Sequence, residues 1–187
     1  MPGFELIGEE ERQAVNELFD DGGVLFAHGF DNMRNNRYHV REFERKFADY
    51  LGVKYAQAVS SGTAALKIAL IALGVKPGDE VITQAFTFIA TAEAIIDIGA
   101  KPVFVNIDET LNMDPNELES TITAKTTAII PVHMLGVATE QDKILAIANK
   151  YNIPVLDDAC ESLGAEWGSE KLGAQCDLAA WSFDAGK

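Results

Sequence analysis

The feature that most limits what this chain can fold into is a regular alternation of strand and helix signals, punctuated by glycine, along most of its 187 residues. Residues 9–19 read as an amphipathic helix ending at Gly22-Gly23, and residues 40–50 as a second helix stopped by Gly52. A short strand is predicted over residues 55–59, then Ser60-Ser61-Gly62 and a helix over 63–73, with Gly74 as its left-handed terminator. Pro77-Gly78-Asp79 is a turn, followed by a strand at 80–83, a helix at 88–98 closed by Gly99, and a strand at 102–107. Asp114-Pro115-Asn116-Glu117 has the form of a helix start: acidic cap, proline first, glutamate third. A strand at 127–132, a helix at 141–151, and strands at 154–156 and 178–183 complete the pattern.

Near-continuous apolar strands separated by helices imply an α/β fold: a mainly parallel sheet covered by helices on both faces. Ligands bind such sheets at the carboxyl ends of the strands. Three polar clusters are predicted there, at Ser61-Gly62-Thr63, at Asp157-Asp158, and at Ser182 with Lys187.

Each cluster permits a particular chemistry. Strand, Ser-Gly-Thr, then helix offers unpaired N–H groups and a hydroxyl at the positive end of a helix dipole, which suits a phosphate; the plainer alternative is a helix cap. Asp158 ends the apolar strand PVLDDAC, where a carboxylate could hold a pyridine nitrogen protonated, or could merely cap a helix or face solvent. Strand alternation sends Asp157 and Asp158 to opposite faces, so only one of them can meet a given ligand. Lys187, in WSFDAGK, could form a Schiff base if partly desolvated, or be a solvated charge.

Composition narrows the partners. Fifteen basic against 29 acidic residues give a net charge of -14, which disfavours binding to nucleic acid or an anionic membrane. A hydrophobic content of 48% fits a soluble globular protein. The start, MPGFELIGEEERQAV, lacks the regions of a signal peptide, and the apolar stretch at 64–73 contains Lys67 and is too short to span a bilayer. Cys160 and Cys176 have no metal-ligand spacing, so no metal site is expected, and two reduced thiols point to a cytoplasmic protein.

Taken together, GTAALKIAL, TFIATAEAIIDIGAKPVFVNID, AIIPVHMLG, LDDACESLGAEWG and WSFDAGK resemble, in order and spacing, the DegT/DnrJ/EryC1/StrS family of pyridoxal-phosphate (PLP) sugar aminotransferases. The resemblance implies the large domain of the type I, aspartate-aminotransferase-like fold, and a homodimer with shared active sites. It implies that Gly62 and Thr63, with the Ala64 N–H, contact the cofactor phosphate, together with Ser182. It implies further that Phe88 stacks on the ring, that Asp158 partners the pyridine nitrogen, and that Lys187 is the Schiff-base lysine. Glu161 stands where many members have Gln or His, which leaves open what bonds the phenolic oxygen of the cofactor. His133 matches a family block and is expected to be buried and hydrogen-bonded. The family continues beyond the lysine, so residues 1–187 are expected to be an N-terminal segment and most of the PLP-binding large domain, truncated before a small C-terminal domain.

The implied reaction moves an amino group, commonly from glutamate, to a keto or aldehyde carbon of a sugar. A sugar dehydratase would carry His at the position of Lys187, and a non-catalytic regulator would have lost Lys187 or Asp158. A Rossmann dehydrogenase lacks support, since no G-x-G-x-x-G follows an early strand. Residues 34–46, RNNRYHVREFERK, hold five of the basic residues against two acids. Arg34 and Arg37 precede the helix there and are candidates to grip an anionic group of the sugar, oriented by Asn35 or Asn36. A nucleotide sugar is the family default. The whole chain also resembles the branch that makes 8-amino-3,8-dideoxy-octulosonate, a lipopolysaccharide sugar acid.

Overall fold

The computed structural model describes residues 3–184 of the chain. They divide into two compact units, one made of the described residues up to Ala58 together with Asp184, the other of Val59–Phe183.

The first unit contains helices α1 (Glu9–Asp20) and α2 (His39–Leu51). Helix α2 stops at Gly52, whose φ of 74° places it in the left-handed region that the sequence anticipates. The strand predicted at 55–59 does not form. Instead the Glu44 carboxylate accepts from the Ala58 N–H at 2.8 Å and from Gln57 Nε2 at 2.7 Å. A side chain thus takes the N–H that a sheet ladder would have used, and Tyr55 stays largely exposed.

The second unit is a three-layer sandwich. Strands β1 (Glu80–Gln84), β2 (Lys101–Val105) and β3 (Thr126–Ile130) pair in parallel in the order β2-β1-β3. Strand β4 (Leu156–Asp158) joins this layer through the bridges Ile129 to Val155 and Val132 to Asp158. A short antiparallel hairpin, β5 (Glu166–Trp167) and β6 (Glu170–Lys171), turns at Gly168 with φ 66°. Strand β7 (Leu178–Ala180) then pairs in parallel with β4. Strand β4 begins two residues later than predicted, because Pro154 has no N–H to donate and contributes only its carbonyl, to Ile129 N.

Helices α3 (Gly62–Ala72) and α4 (Ile89–Asp97) cover one face, burying Leu66, Leu70, Ala94 and Ile95 against Val81, Ala128, Ile130 and Ala180. Helices α5 (Pro115–Thr121) and α6 (Gln141–Tyr151) cover the other, burying Leu118, Ile144 and Ala148 against Ile82, Ile129 and Val155. Successive residues Val81 and Ile82, or Ala128 and Ile129, enter opposite cores, as the strand pleat requires. The cap of α5 is the predicted one: Pro115 is first and the Asp114 side chain accepts from Asn116 N. Glu117, however, accepts from Asn106 Nδ2 rather than closing a capping box. No helix of the described residues is long and apolar enough to cross a membrane.

Candidate active site

Asp157 and Asp158 are neighbours on β4, both buried, and they face opposite layers. Asp158 points toward α4. Its Oδ2 accepts from Thr91 Oγ1 at 2.8 Å, and its Oδ1 from Cys160 N at 3.3 Å. Burial pushes the carboxyl above its usual range, against the pull of Thr91, Cys160 and the His133 imidazole. Thr91, the Cys160 N–H and the Cys160 thiol are all neutral donors, and no ion pair among the described residues balances the charge of this buried carboxylate, so a cation would complete it.

Asp157 points toward α6 and is saturated. Gln141 Nε2 lies 2.8 and 2.7 Å from its two oxygens, Gly173 N donates to Oδ2 at 3.1 Å, and His133 Nε2 stands 3.2 Å away. The imidazole Nδ1 accepts from Thr139 N at 3.2 Å, and its Nε2 faces Asp157 and, at 3.1 Å, Gln141 Nε2. His133 is therefore the buried, bonded histidine that was expected. Cys176 lies against the same carboxylate, and burial and Asp157 together push its thiol far up, which keeps it an inert S–H.

The start of α3 lies against the ends of β4 and β7. A Cβ on Gly62 would come within 3.0 Å of Cys160 Sγ, 3.1 Å of Ser182 Cβ and 3.4 Å of the Trp181 carbonyl. Glycine lets this helix start approach so closely, since a side chain here would make Cys160 and Ser182 give way by a few tenths of an ångström. Ser61 caps the helix, its Oγ accepting from Ala64 N at 3.1 Å, so the Ala64 N–H expected to meet a phosphate already has a partner. Among the described residues no acceptor is assigned to the N–H of Gly62 or Thr63. Gly62, Thr63, Cys160 and Ser182 thus form a small cradle at the positive end of a helix.

Phe88 is the N-cap residue of α4, three positions before Thr91, with more than half its surface exposed, as a stacking aromatic needs. The Glu161 carboxylate accepts from Leu135 N at 3.0 Å, which ties it to the loop after β3. Lys187 lies outside the described residues.

In the first unit, Arg34 is 5% exposed and its guanidinium serves the backbone: Nε donates to the Gly29 carbonyl at 2.8 Å and Nη2 to that of Phe26 at 2.7 Å. Its donors stitch the loop that precedes them. Arg37 is ion-paired with Asp21 and half exposed. Asn35 and Asn36 adopt left-handed backbone conformations, with φ of 46° and 60°, and so make the turn between the two arginines.

Several contributors escape sequence reasoning. Gln84 Oε1 accepts from Met113 N and Val132 N, each at 3.1 Å, and Asn112 Nδ2 donates to the Val137 and Ala138 carbonyls. These amides fix the loops at the carboxyl ends of the strands. Their only signal in the sequence is a polar residue at the end of an apolar run.

A parallel sheet between helical layers, with a buried acid and a glycine-led helix start at its carboxyl edge, defines the large-domain fold of type I PLP-dependent transferases. The chain belongs to the DegT/DnrJ/EryC1/StrS aminotransferase family, whose model matches residues 7–187. The spore coat polysaccharide biosynthesis protein SpsC of Bacillus subtilis is 43% identical over 97% of this chain and 44% of its own length. The UDP-2-acetamido-2-deoxy-3-oxo-D-glucuronate aminotransferase of Pseudomonas aeruginosa is 47% identical over 81% of this chain and 44% of its own length. Among solved structures, an aminotransferase from Psychrobacter cryohalolentis superposes with a TM-score of 0.87 at 35% identity, covering 97% of this chain and 44% of that one. The PLP form of a putative sugar aminotransferase from Streptococcus pneumoniae gives 0.86 at 30% identity, over 97% and 48%. The chain spans less than half the length of these relatives.

Proposed function

We propose that this chain provides the cofactor-binding part of a PLP-dependent sugar aminotransferase. The observation that carries the proposal is Asp158, a buried carboxylate with no ion pair among the described residues, on the same sheet edge as the Gly62 cradle. Bound PLP supplies an electron sink for the pair released when a proton leaves the substrate carbon. Asp158 holds the proton on the pyridine nitrogen. Gly62 and Thr63 offer N–H groups to the phosphate, joined by the Ser182 hydroxyl, while Ala64 N–H stays with Ser61 unless the phosphate displaces it. Phe88, exposed at the start of α4, would lie against the cofactor ring and shield it from water. Lys187 would hold the cofactor and would take up and return the proton of the substrate carbon.

The acceptor is a keto or aldehyde sugar, and glutamate is the amino donor. Relatives named for a UDP-sugar and, in Caulobacter vibrioides, for GDP-perosamine support a nucleotide sugar, and the one named for spore coat polysaccharide biosynthesis supports a surface polysaccharide as its destination. A nucleotide sugar is the default and a lipopolysaccharide sugar acid the narrower reading. Arg37 is the better candidate for the sugar's anion, since Arg34 has spent its N–H groups on carbonyls. The family resemblance supports a cytoplasmic homodimer with shared sites.

The test is to incubate the intact protein with PLP, reduce it with borohydride, and map the product by mass spectrometry. A phosphopyridoxyl group on Lys187 is expected, together with glutamate-dependent amination of a keto sugar in the unreduced enzyme. A phosphopyridoxyl group on a different lysine, or none, would overturn the assignment.

A further inference from the structure

One hydroxyl relay plays no part in the chemistry above. Thr91, in the first turn of α4, is fully buried, and its Oγ1 donates to Asp158 Oδ2 at 2.8 Å. Thr87 Oγ1 stands 2.9 Å from the same hydroxyl. A threonine hydroxyl has one proton to give. Thr91 gives its proton to the carboxylate, so the proton in the Thr87–Thr91 contact comes from Thr87, whose hydroxyl also lies 3.3 Å from the Phe88 carbonyl and shares its one proton between the two acceptors. The result is a one-way chain, Thr87 to Thr91 to Asp158. Buried Ser and Thr in helices ordinarily return their proton to a carbonyl of their own helix three or four residues back. Thr91 instead spends it on a carboxylate 67 residues away in sequence.

We propose that Thr91, with Thr87 behind it, is a positioning residue that keeps the Asp158 carboxylate ionised and in one rotamer for its cationic partner. The inference rests on the PLP reading above. Burial alone drives Asp158 toward the neutral acid, and a neutral acid cannot hold a pyridinium. Thr91 is the hydroxyl donor that opposes burial at Oδ2 and the largest of the opposing contacts, ahead of the Cys160 thiol, the Cys160 N–H at Oδ1 and the more distant His133. Asp157, on the other face of β4, has its own donors and lends none.

The test compares intact protein, wild type and variants, titrated with PLP and followed by the visible absorption of the bound cofactor across pH. Removing one hydrogen bond to a charged group weakens the site by roughly tenfold to a hundredfold. Thr91→Val should therefore raise the dissociation constant for PLP by about that factor and move the spectral pH titration. Thr91→Ser should restore most of both. In an Asp158→Asn background the same Thr91→Val change should add less than about threefold, because its target is gone. Should Thr91→Val not fold, Thr87→Val, at a half-buried site, should weaken PLP binding by about threefold. Unchanged binding and titration in these variants, or an equal loss with and without Asp158, overturns the inference alone. Wild-type protein that takes up no PLP overturns the proposed function and this inference together.

Discussion

The α3/α4 side and the α5/α6 side of the sheet meet the same strand, β4, and treat two adjacent aspartates in opposite ways. On the α6 side, Asp157 is met by Gln141, Gly173 N–H and His133, so its negative charge is fully dressed by the protein. On the α4 side, Asp158 has a threonine hydroxyl, one N–H and the Cys160 thiol, all neutral donors, and burial pushes its carboxyl up. The pleat makes the division possible, since consecutive residues of a strand face different layers. Burial therefore does not distinguish a structural acid from a functional one; the completeness of its donor set does. Asp157 locks the sheet to α6 and to the loop at Gly173, whereas Asp158 has only neutral donors within hydrogen-bond reach among the described residues.

The largest expected effect is on rate. Asp158→Asn should lower kcat by about a thousandfold, since only a charged partner keeps a pyridine nitrogen protonated. Asp157→Asn should leave kcat within about tenfold of wild type but cost about 3 kcal/mol of stability by unpairing a buried network. Steady-state kinetics and denaturant unfolding of the two variants check the pair. Matching rate losses would mean the two faces have been wrongly assigned.

A smaller effect should follow Gly62→Ala. The added methyl meets Cys160 Sγ at 3.0 Å and Ser182 Cβ at 3.1 Å, so the helix start must withdraw from the strand ends. PLP affinity should fall about tenfold, or about 1.4 kcal/mol, because the displaced helix start no longer presents its N–H groups to the phosphate, measured by titration of the cofactor band. The α6 side should not notice, while the cofactor-free protein should lose up to roughly 1–3 kcal/mol of stability to the overpacking, as seen by thermal unfolding.

The two arginines sharpen the contrast away from the sheet. Arg34→Ala removes a buried side chain that holds two backbone carbonyls, and should loosen residues 26–37 as seen by hydrogen exchange. Arg37→Ala should raise KM for the sugar severalfold and leave the cofactor spectrum and the half-reaction with the donor intact. A normal KM in Arg37→Ala would reduce that residue to its ion pair with Asp21.

Much of this layout was legible in the sequence because its signals are local. Glycines at 52, 74 and 99 stop helices with positive φ of 74°, 87° and 79°, and α6 begins and ends where its periodicity does. The opposed facing of Asp157 and Asp158 followed from alternation alone. The strand at 55–59 failed because its apolar pattern could not reveal that Glu44, fourteen residues earlier, would claim the Ala58 N–H. The β5/β6 hairpin was overlooked although Gly168-Ser169 is a two-residue turn signal, its strands being only two residues each. Thr91, Gln84 and Gln141 look like polar interruptions of apolar segments, and their partners lie 67, 48 and 16 residues away. Arg34 looked free to face a ligand because its acceptors are backbone carbonyls, which sequence does not display.

The smallest effect is on stability against pH, and its sign is fixed by Asp158. Its carboxyl is raised in the folded state, so the fold binds that proton more readily than the unfolded chain does. The contribution of Asp158 to stability is greatest below its unfolded value and is lost as pH rises through its folded value. Cofactor-free protein should therefore lose part of its stability over that rise, as followed by thermal unfolding, and PLP should cancel the loss by supplying the missing cation.

The most direct measurement reads the proton itself: the 15N chemical shift of ring-labelled PLP bound to the protein at neutral pH. A protonated pyridine nitrogen is expected in wild type and in Asp157→Asn, and an unprotonated one in Asp158→Asn. An unprotonated nitrogen in wild type, or one that loses its proton with Asp157 rather than Asp158, would contradict the assignment of the site.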